Sequence, residues 1–254
     1  MSISPYSHNP AQQLGFSLVE MAIVLVILGL LMAGLMPSLS AQMESQHINE
    51  TRKYLGEIQE ALIGFAISNG RLPWPACGTI ATGQTNAGIE LSPASAAAIG
   101  CTSDTAVVPW ATLGTGETDA WGNRYTYRVS SDFADAIGDA TYGGCTPSAP
   151  PAQSTFALCS SGNLNVLSAA TGGTNLATNL PAVIVSHGKN GAGAYTAQGA
   201  LLPAGSNADE LENSHGAVNS NYVSHPPTPE FDDLVVWISG PILFNRMVTA
   251  GKLP

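Results

Sequence analysis

The sequence predicts an α+β fold, with one long N-terminal helix followed by a β-rich globular domain with long loops. Three observations carry that expectation. From Met21 to Met36, sixteen consecutive residues have no polar side chain, a run too long for a core strand. Leu55, Ile58, Leu62 and Phe65 then recur at spacings of 3, 4 and 3, the stripe of a helix with one apolar face. Farther on, three short runs rich in β-branched and aromatic residues lie beside Gly, Asn or Asp turn residues, the pattern of strands between turns.

The helix starts at a capping box, Ser17-x-x-Glu20. There the Ser side chain accepts from a backbone N–H and the Glu reaches back to the cap's own N–H, its charge near the positive helix end. A straight helix from Phe16 to Leu39 is about 36 Å long at 1.5 Å per residue, enough to cross a bilayer core of about 30 Å. A carboxylate at the head of such a run is costly, about 2.5–3.5 kcal/mol at a helix centre and less near an end, so Glu20 needs a partner. Gly29 and Pro37 interrupt the run. Pro37 removes one backbone hydrogen bond and crowds the preceding turn, although both residue types are tolerated in membrane helices. Gly29 and Ala33 also make a small-x-x-x-small pair. Beyond Pro37 the helix is amphipathic, and Asn69-Gly70 with Pro73 and Pro75 marks its end.

Gly15-Phe16-Ser17-Leu18-Val19-Glu20, fused to the apolar run, resembles the processing site of type IV prepilins and type II secretion pseudopilins. The resemblance implies that a prepilin peptidase/N-methyltransferase cuts after Gly15 and methylates Phe16. Glu20 is then available to a neighbouring subunit's N-terminal amine during filament assembly. It divides the chain into a leader (1–15), a transmembrane/assembly helix (16–39), the amphipathic half of the helix (40–70) and a pilin-like domain (71–254), with the helix packed on an antiparallel β-sheet. Gly29 and Pro37 fall where many type IV pilins carry helix-breaking residues that let the helix stretch in the filament. The implied partners are other pilin or pseudopilin subunits, the inner-membrane assembly platform and the lipid bilayer. The implied location is the bacterial inner membrane, single-pass with a periplasmic domain, and then a filament that can reach the cell exterior. Glu20 argues against the tip pseudopilin, which typically lacks this acid.

A secretory signal peptide is the rival reading, with Ser38-Leu39-Ser40 before Ala41 as its cleavage site. A signal peptide wants a basic start and an apolar core of about 7–15 residues. No Lys or Arg precedes Phe16 here, only His8, and the core is longer. The missing cations also depart from most prepilin leaders, so orientation rests on the resemblance rather than on charge. The alternative function is an exported or membrane-anchored binding protein or adhesin that does not polymerise.

Only 10% of residues are charged and the formal net charge is −10, so no nucleic-acid partner is expected, since that calls for a basic patch. Cys77, Cys101, Cys145 and Cys159 lie downstream of the apolar run. An even count in an exported domain suggests disulfides. Four cysteines allow three connectivities; sequential pairs are favoured because they close the two loop-rich segments.

Arg71 to Gly116 reads as a long loop with a short helix at Ser92–Ile99. Asp119 to Asn123 reads as a turn, followed by a half-buried strand in which Tyr125, Tyr127 and Val129 alternate with Thr126 and Arg128. This stretch resembles the segment that opens the β-sheet of major pseudopilins. Leu180–Val185 and Leu234–Ile238 are two further strands, and Ile242–Val248 is a short closing helix.

No nucleophile elbow, His-Glu-x-x-His or phosphate loop is present, and Ser186-His187 has no evident orienting acid, so no enzyme is expected. Major pseudopilins bind calcium in the C-terminal half of the fold. The resemblance therefore points to calcium as a candidate cofactor on Asp209, Glu210, Glu212, Asp232 and Asp233. There is no EF-hand spacing, and loop acids are commonly just solvated.

Overall fold

The computed structural model describes residues 17–102, 106–137, 142–214 and 220–253, with side chains except those of 32–40. Gly15, Phe16 and the leader lie outside the described residues. Two compact units result, Met1–Gln46 and His47–Pro254. The elements in order are α1 (Leu18–Asn69), β1 (Ala76–Cys77), α2 (Pro93–Ala98), β2 (Ala106–Val107), α3 (Trp110–Leu113), β3 (Asn123–Arg124), β4 (Thr126–Val129), β5 (Leu164–Leu167), β6 (Asn175–Leu180), β7 (Ala182–Ser186), β8 (Tyr195–Thr196), α4 (Ala208–Asn213), β9 (Asn221–Val223), β10 (Leu234–Ile238) and α5 (Gly240–Thr249).

In the first unit, α1 is helical in backbone through Gly29 and Pro37. The side chain of Pro37 lies outside the described residues. The described apolar side chains of this part are exposed, from Leu28 at 47% to Leu18 at 87%. Among the described residues no helix is long and apolar enough to cross a membrane.

The second unit is built on a five-stranded antiparallel sheet, in the order β1-β2-β4-β7-β10. Its most deeply buried strand is β7, between β4 and β10, whose five residues are all buried. The register explains this. Tyr127 pairs with Ile184 and Ile184 with Val236, so these side chains share one face, because partners across a ladder point the same way. That face carries the main core, with Leu55, Ile58 and Leu62 of α1 and Leu243 and Met247 of α5. The opposite face holds Val183 and Val185, which pack on Leu164, Val166 and Tyr222 of a second, three-stranded sheet ordered β6-β5-β9. A strand covered on both faces needs apolar residues at every position, which is what Ala182-Val-Ile-Val supplies.

The apolar stripe of α1 enters this core as expected, with one shift. Phe65 is only half-buried, with the Arg71 guanidinium 5.4 Å above its ring, and Ala66 takes the fully buried position instead. The spacing 55, 58, 62, 66 follows a helix face better than 65 does. The amphipathic part of α1 from His47 onward thus belongs to the compact unit it packs on. Gly70 ends the helix at φ +72°. A Cβ there would strike the carbonyl of Gln153, so glycine is required twice over.

Regular structure is richer than the loops anticipated. Besides α2, the 71–116 stretch contains β1, β2 and α3. Two disulfides, Cys77–Cys101 and Cys145–Cys159, close the two loop-rich segments. Burial along β4 is not the expected alternation: Thr126 and Tyr127 are both buried, because both faces are covered.

Candidate functional site

At the head of α1 the capping box is formed. Ser17 N–H donates to Glu20 Oε2 at 2.8 Å, and Glu20 N–H donates to Ser17 Oγ at 3.2 Å. The Glu20 carboxylate is thereby folded back toward the start of the helix, beside the position that follows Phe16. Glu20 and its apolar neighbours Leu18, Val19 and Met21 are all exposed.

A second site lies in the globular unit. Glu210, Asp232 and Asp233 each place a carboxylate oxygen within 4.8 Å of the others. Asn207 caps α4 by accepting from Asp209 N–H, which fixes Glu210 pointing inward. Asp232 and Asp233 immediately precede β10. Asn190, in the turn after β7, ties the two parts together: its Nδ2 donates to Glu210 Oε1 at 2.6 Å and its N–H to Asp232 Oδ2 at 2.9 Å. Gly188 has φ +57°, and a Cβ there would lie 2.6 Å from the Asp232 carboxyl carbon, so only glycine lets this turn approach the acids.

Burial pushes the Asp233 carboxyl well above the usual carboxylate range; the Asn213 hydrogen bond opposes this, and the Glu210 and Asp232 charges add to it. Asp233 Oδ2 accepts from Asn213 Nδ2 at 2.8 Å. Its Oδ1 is buried and accepts no hydrogen bond; His187 Nδ1 is 3.8 Å away. A buried carboxylate oxygen without a donor costs about 1–3 kcal/mol. Beside two further carboxylates, such an orphan fits a hard cation that takes oxygen ligands.

Of the five acids expected as ligands, the structure brings together Glu210, Asp232 and Asp233 and leaves two apart. Asp209 accepts from Ala170 N–H at 2.6 Å and faces His225 Nε2 at 3.2 Å. Glu212 is not in the cluster. The cause is helical: successive residues on α4 turn by about 100°, so neighbours of Glu210 point elsewhere. The Ser186-His187 pair also resolves. Ser186 Oγ donates to Asp119 Oδ2 at 2.7 Å, while His187 Nε2 lies 2.7 Å from Thr126 Oγ1. Asp233 is therefore an acid beside His187 that the sequence did not reveal. Thr126, His187 and Asp233 are all buried.

One organising residue escaped the sequence reading. Arg124 is fully buried. It donates to Glu117 Oε1 from Nε (2.9 Å) and Nη2 (2.7 Å), to Gly78 O and Ile80 O from Nη1 (2.8 Å each), and to Ala197 O from Nη2 (3.0 Å). Its guanidinium stands 4.5 Å from the Trp110 ring centre. Three separate loops thus close on one side chain.

No curated protein matches the chain, and no solved structure does. One family does match, over the head of α1 and the residues before it. Residues 10–36 carry the prokaryotic N-terminal methylation motif, the prepilin-cleavage signal of type IV pilins and pseudopilins.

Proposed function

We propose that the protein is a structural subunit, a minor pilin or pseudopilin, of a type IV pilus or type II secretion filament. The observation that carries this reading is the methylation motif over residues 10–36. Its acid, Glu20, is held at the head of a helix whose apolar side chains from Leu18 to Leu31 are exposed. The motif marks a prepilin-type substrate and pilin-type structural proteins, which are generally not enzymes. In this reading the peptide bond between Gly15 and Phe16 is cut and the Phe16 amine methylated. The exposed apolar side chains sit in the inner membrane before assembly and against neighbouring helices afterwards. Glu20 then pairs with a neighbour's Phe16 amine. That gives a costly carboxylate in hydrocarbon a compensating charge.

Mass spectrometry of the mature N-terminal peptide tests the reading. The expected result is an N-methylated Phe16 terminus. A terminus at Ala41 would mark an exported soluble product, and an uncut leader a simple anchor; either would overturn the assignment.

We further propose that Glu210, Asp232 and Asp233 hold calcium. The orphaned Asp233 Oδ1 and the clustering of the three acids support this. The ion would supply the positive charge that joins α4 to the strand entry at β10, and Asn190 orients two of the carboxylates toward that point.

A further inference from the structure

We propose that the Cys145–Cys159 bridge is a thiol–disulfide exchange site for a dithiol oxidoreductase, and that the Cys77–Cys101 bridge is closed to the same chemistry. The site lies in the second unit, and the proposal does not depend on the filament reading. The two bridges differ first in burial. Cys77 and Cys101 are 2% and 4% exposed, and Cys77 lies within β1, opposite Ala106 on the ladder. Cys159 is exposed and Cys145 half-buried, and Leu158 beside Cys159 is exposed as well. Exchange needs a thiolate that reaches a bridge sulfur, so access decides which bond reacts.

They differ also in what depends on them. The Cys159 side of the loop is anchored without the bridge. Phe156 is fully buried, with its ring centre 4.9 Å from that of Phe133 and 6.0 Å from that of Phe244. Thr155 N–H donates to Gly70 O at 3.0 Å, and Ala157 N–H donates to Ser160 Oγ at 2.9 Å. The Cys145 side has no such anchorage in the core: Thr146, Ser148, Ala149 and Pro150 are exposed, and burial resumes at Pro151. Opening the bond therefore frees the arm from Cys145 to Pro150 and leaves the core packed. That is a local opening. Reaching Cys77–Cys101 requires a larger one, which is rarer.

The step balances as follows. One thiolate of the dithiol attacks the exposed Cys159 Sγ. The Cys145–Cys159 bond breaks, and Cys145 leaves as a thiolate that takes up a proton. The second thiol of the dithiol then attacks its own sulfur in the mixed disulfide, and Cys159 leaves in the same way. The protein gains two electrons and two protons, and the dithiol ends as its internal disulfide. A closed loop spanning 14 residues becomes an arm with a thiol at Cys145, and the reverse reaction closes it again.

The test uses the full chain in mild detergent. It is incubated with dithiothreitol or with reduced thioredoxin, quenched at intervals with N-ethylmaleimide, and mapped by mass spectrometry. Near-UV circular dichroism of the dithiothreitol samples follows the packing around Trp74, Trp110, Trp121 and Trp237. In dithiothreitol, Cys145 and Cys159 should be alkylated together, roughly tenfold or more faster than Cys77 and Cys101, while the near-UV signal keeps its native amplitude. Thioredoxin, a dithiol too bulky for a buried bond, should open Cys145–Cys159 and leave Cys77–Cys101 intact. The double variant Cys145→Ser/Cys159→Ser should keep the native spectrum, with Cys77–Cys101 as slow to open as in wild type. Equal opening rates for the two bridges, earlier opening of Cys77–Cys101, no opening by thioredoxin, or a near-UV signal lost in step with Cys145 alkylation would overturn the proposal.

Discussion

Replacing Arg124 by Met should be among the most damaging single changes in the globular unit. The substitution keeps the apolar stem and removes every donor. Two backbone acceptors, Gly78 O and Ile80 O, lose their donor and Glu117 loses its cation, whereas Ala197 O keeps the N–H and hydroxyl of Thr82. Buried acceptors left dry cost about 1–3 kcal/mol each, and breaking a buried ion pair about 3–5 kcal/mol. Glu117 is 18% exposed at its side chain, so water takes over part of the second term, and the loops that supply the carbonyls can relax. Taking the low end of each, the expected loss is about 4–5 kcal/mol. For a domain of this size, about 2–4 °C accompanies each kcal/mol, so the melting temperature should fall by about 8–20 °C. Arg124→Lys retains the charge but not the fork and should lose about half as much. Guanidinium chloride unfolding of the full chain, followed by tryptophan fluorescence, measures both. If the Met variant unfolds within about 1 kcal/mol of wild type, the three loops are not held by this side chain and the reasoning fails.

Glu20→Ala should leave the abundance and melting of the subunit unchanged while abolishing its incorporation into filaments; normal incorporation would contradict the pairing with Phe16. Non-reducing peptide mapping of the exported protein should recover Cys77–Cys101 and Cys145–Cys159, and removing the second bridge, which spans 14 residues, should cost about 3 kcal/mol in the chain-entropy account. Asp233 should give stability a pH dependence of definite sign. Its folded pKa is raised, so the native state holds a proton that the unfolded chain releases near pH 4. Its contribution is complete below that pH and lost as pH rises through the folded value. In chelator, wild type measured against Asp233→Asn should therefore lose stability as pH rises. Millimolar calcium should offset that loss by replacing the proton with the ion, and identical curves in calcium and chelator would retire the metal reading.

The parts of the fold that the sequence foretold are those whose signal is local. The β7 run is apolar and β-branched along its length, and α1 announces both its capping box and its Gly70 stop. β6 was unreadable because Asn175-Leu-Ala-Thr-Asn-Leu is an edge strand, exposed over most of its length, with no burial pattern to impose alternation. β9 pairs parallel with β5 across some fifty residues of sequence, which no window detects. α4 does carry a local signal, an Asn cap followed by Asp209 and Glu210 in the first turn, and a helix there separates Glu210 from Asp209 and Glu212. Arg124 looked like any cation beside a turn, because its partners come from residues 78, 80, 117 and 197.

The two-sided cover of the central sheet constrains how the domain comes into being. One cover is recruited from early in the chain, Leu55 to Ala66, and the other elements that seal the same core, β10 and α5, arrive late; Glu60 meets Arg246 across 186 residues. Closure of loops on that scale is slow, and β7 lacks its β10 partner until residues 234–238 are present. A chain emerging across a membrane would thus stay unpacked, and threadable, until α5 has followed. Completion of the core, rather than any single contact, would then separate transport from assembly.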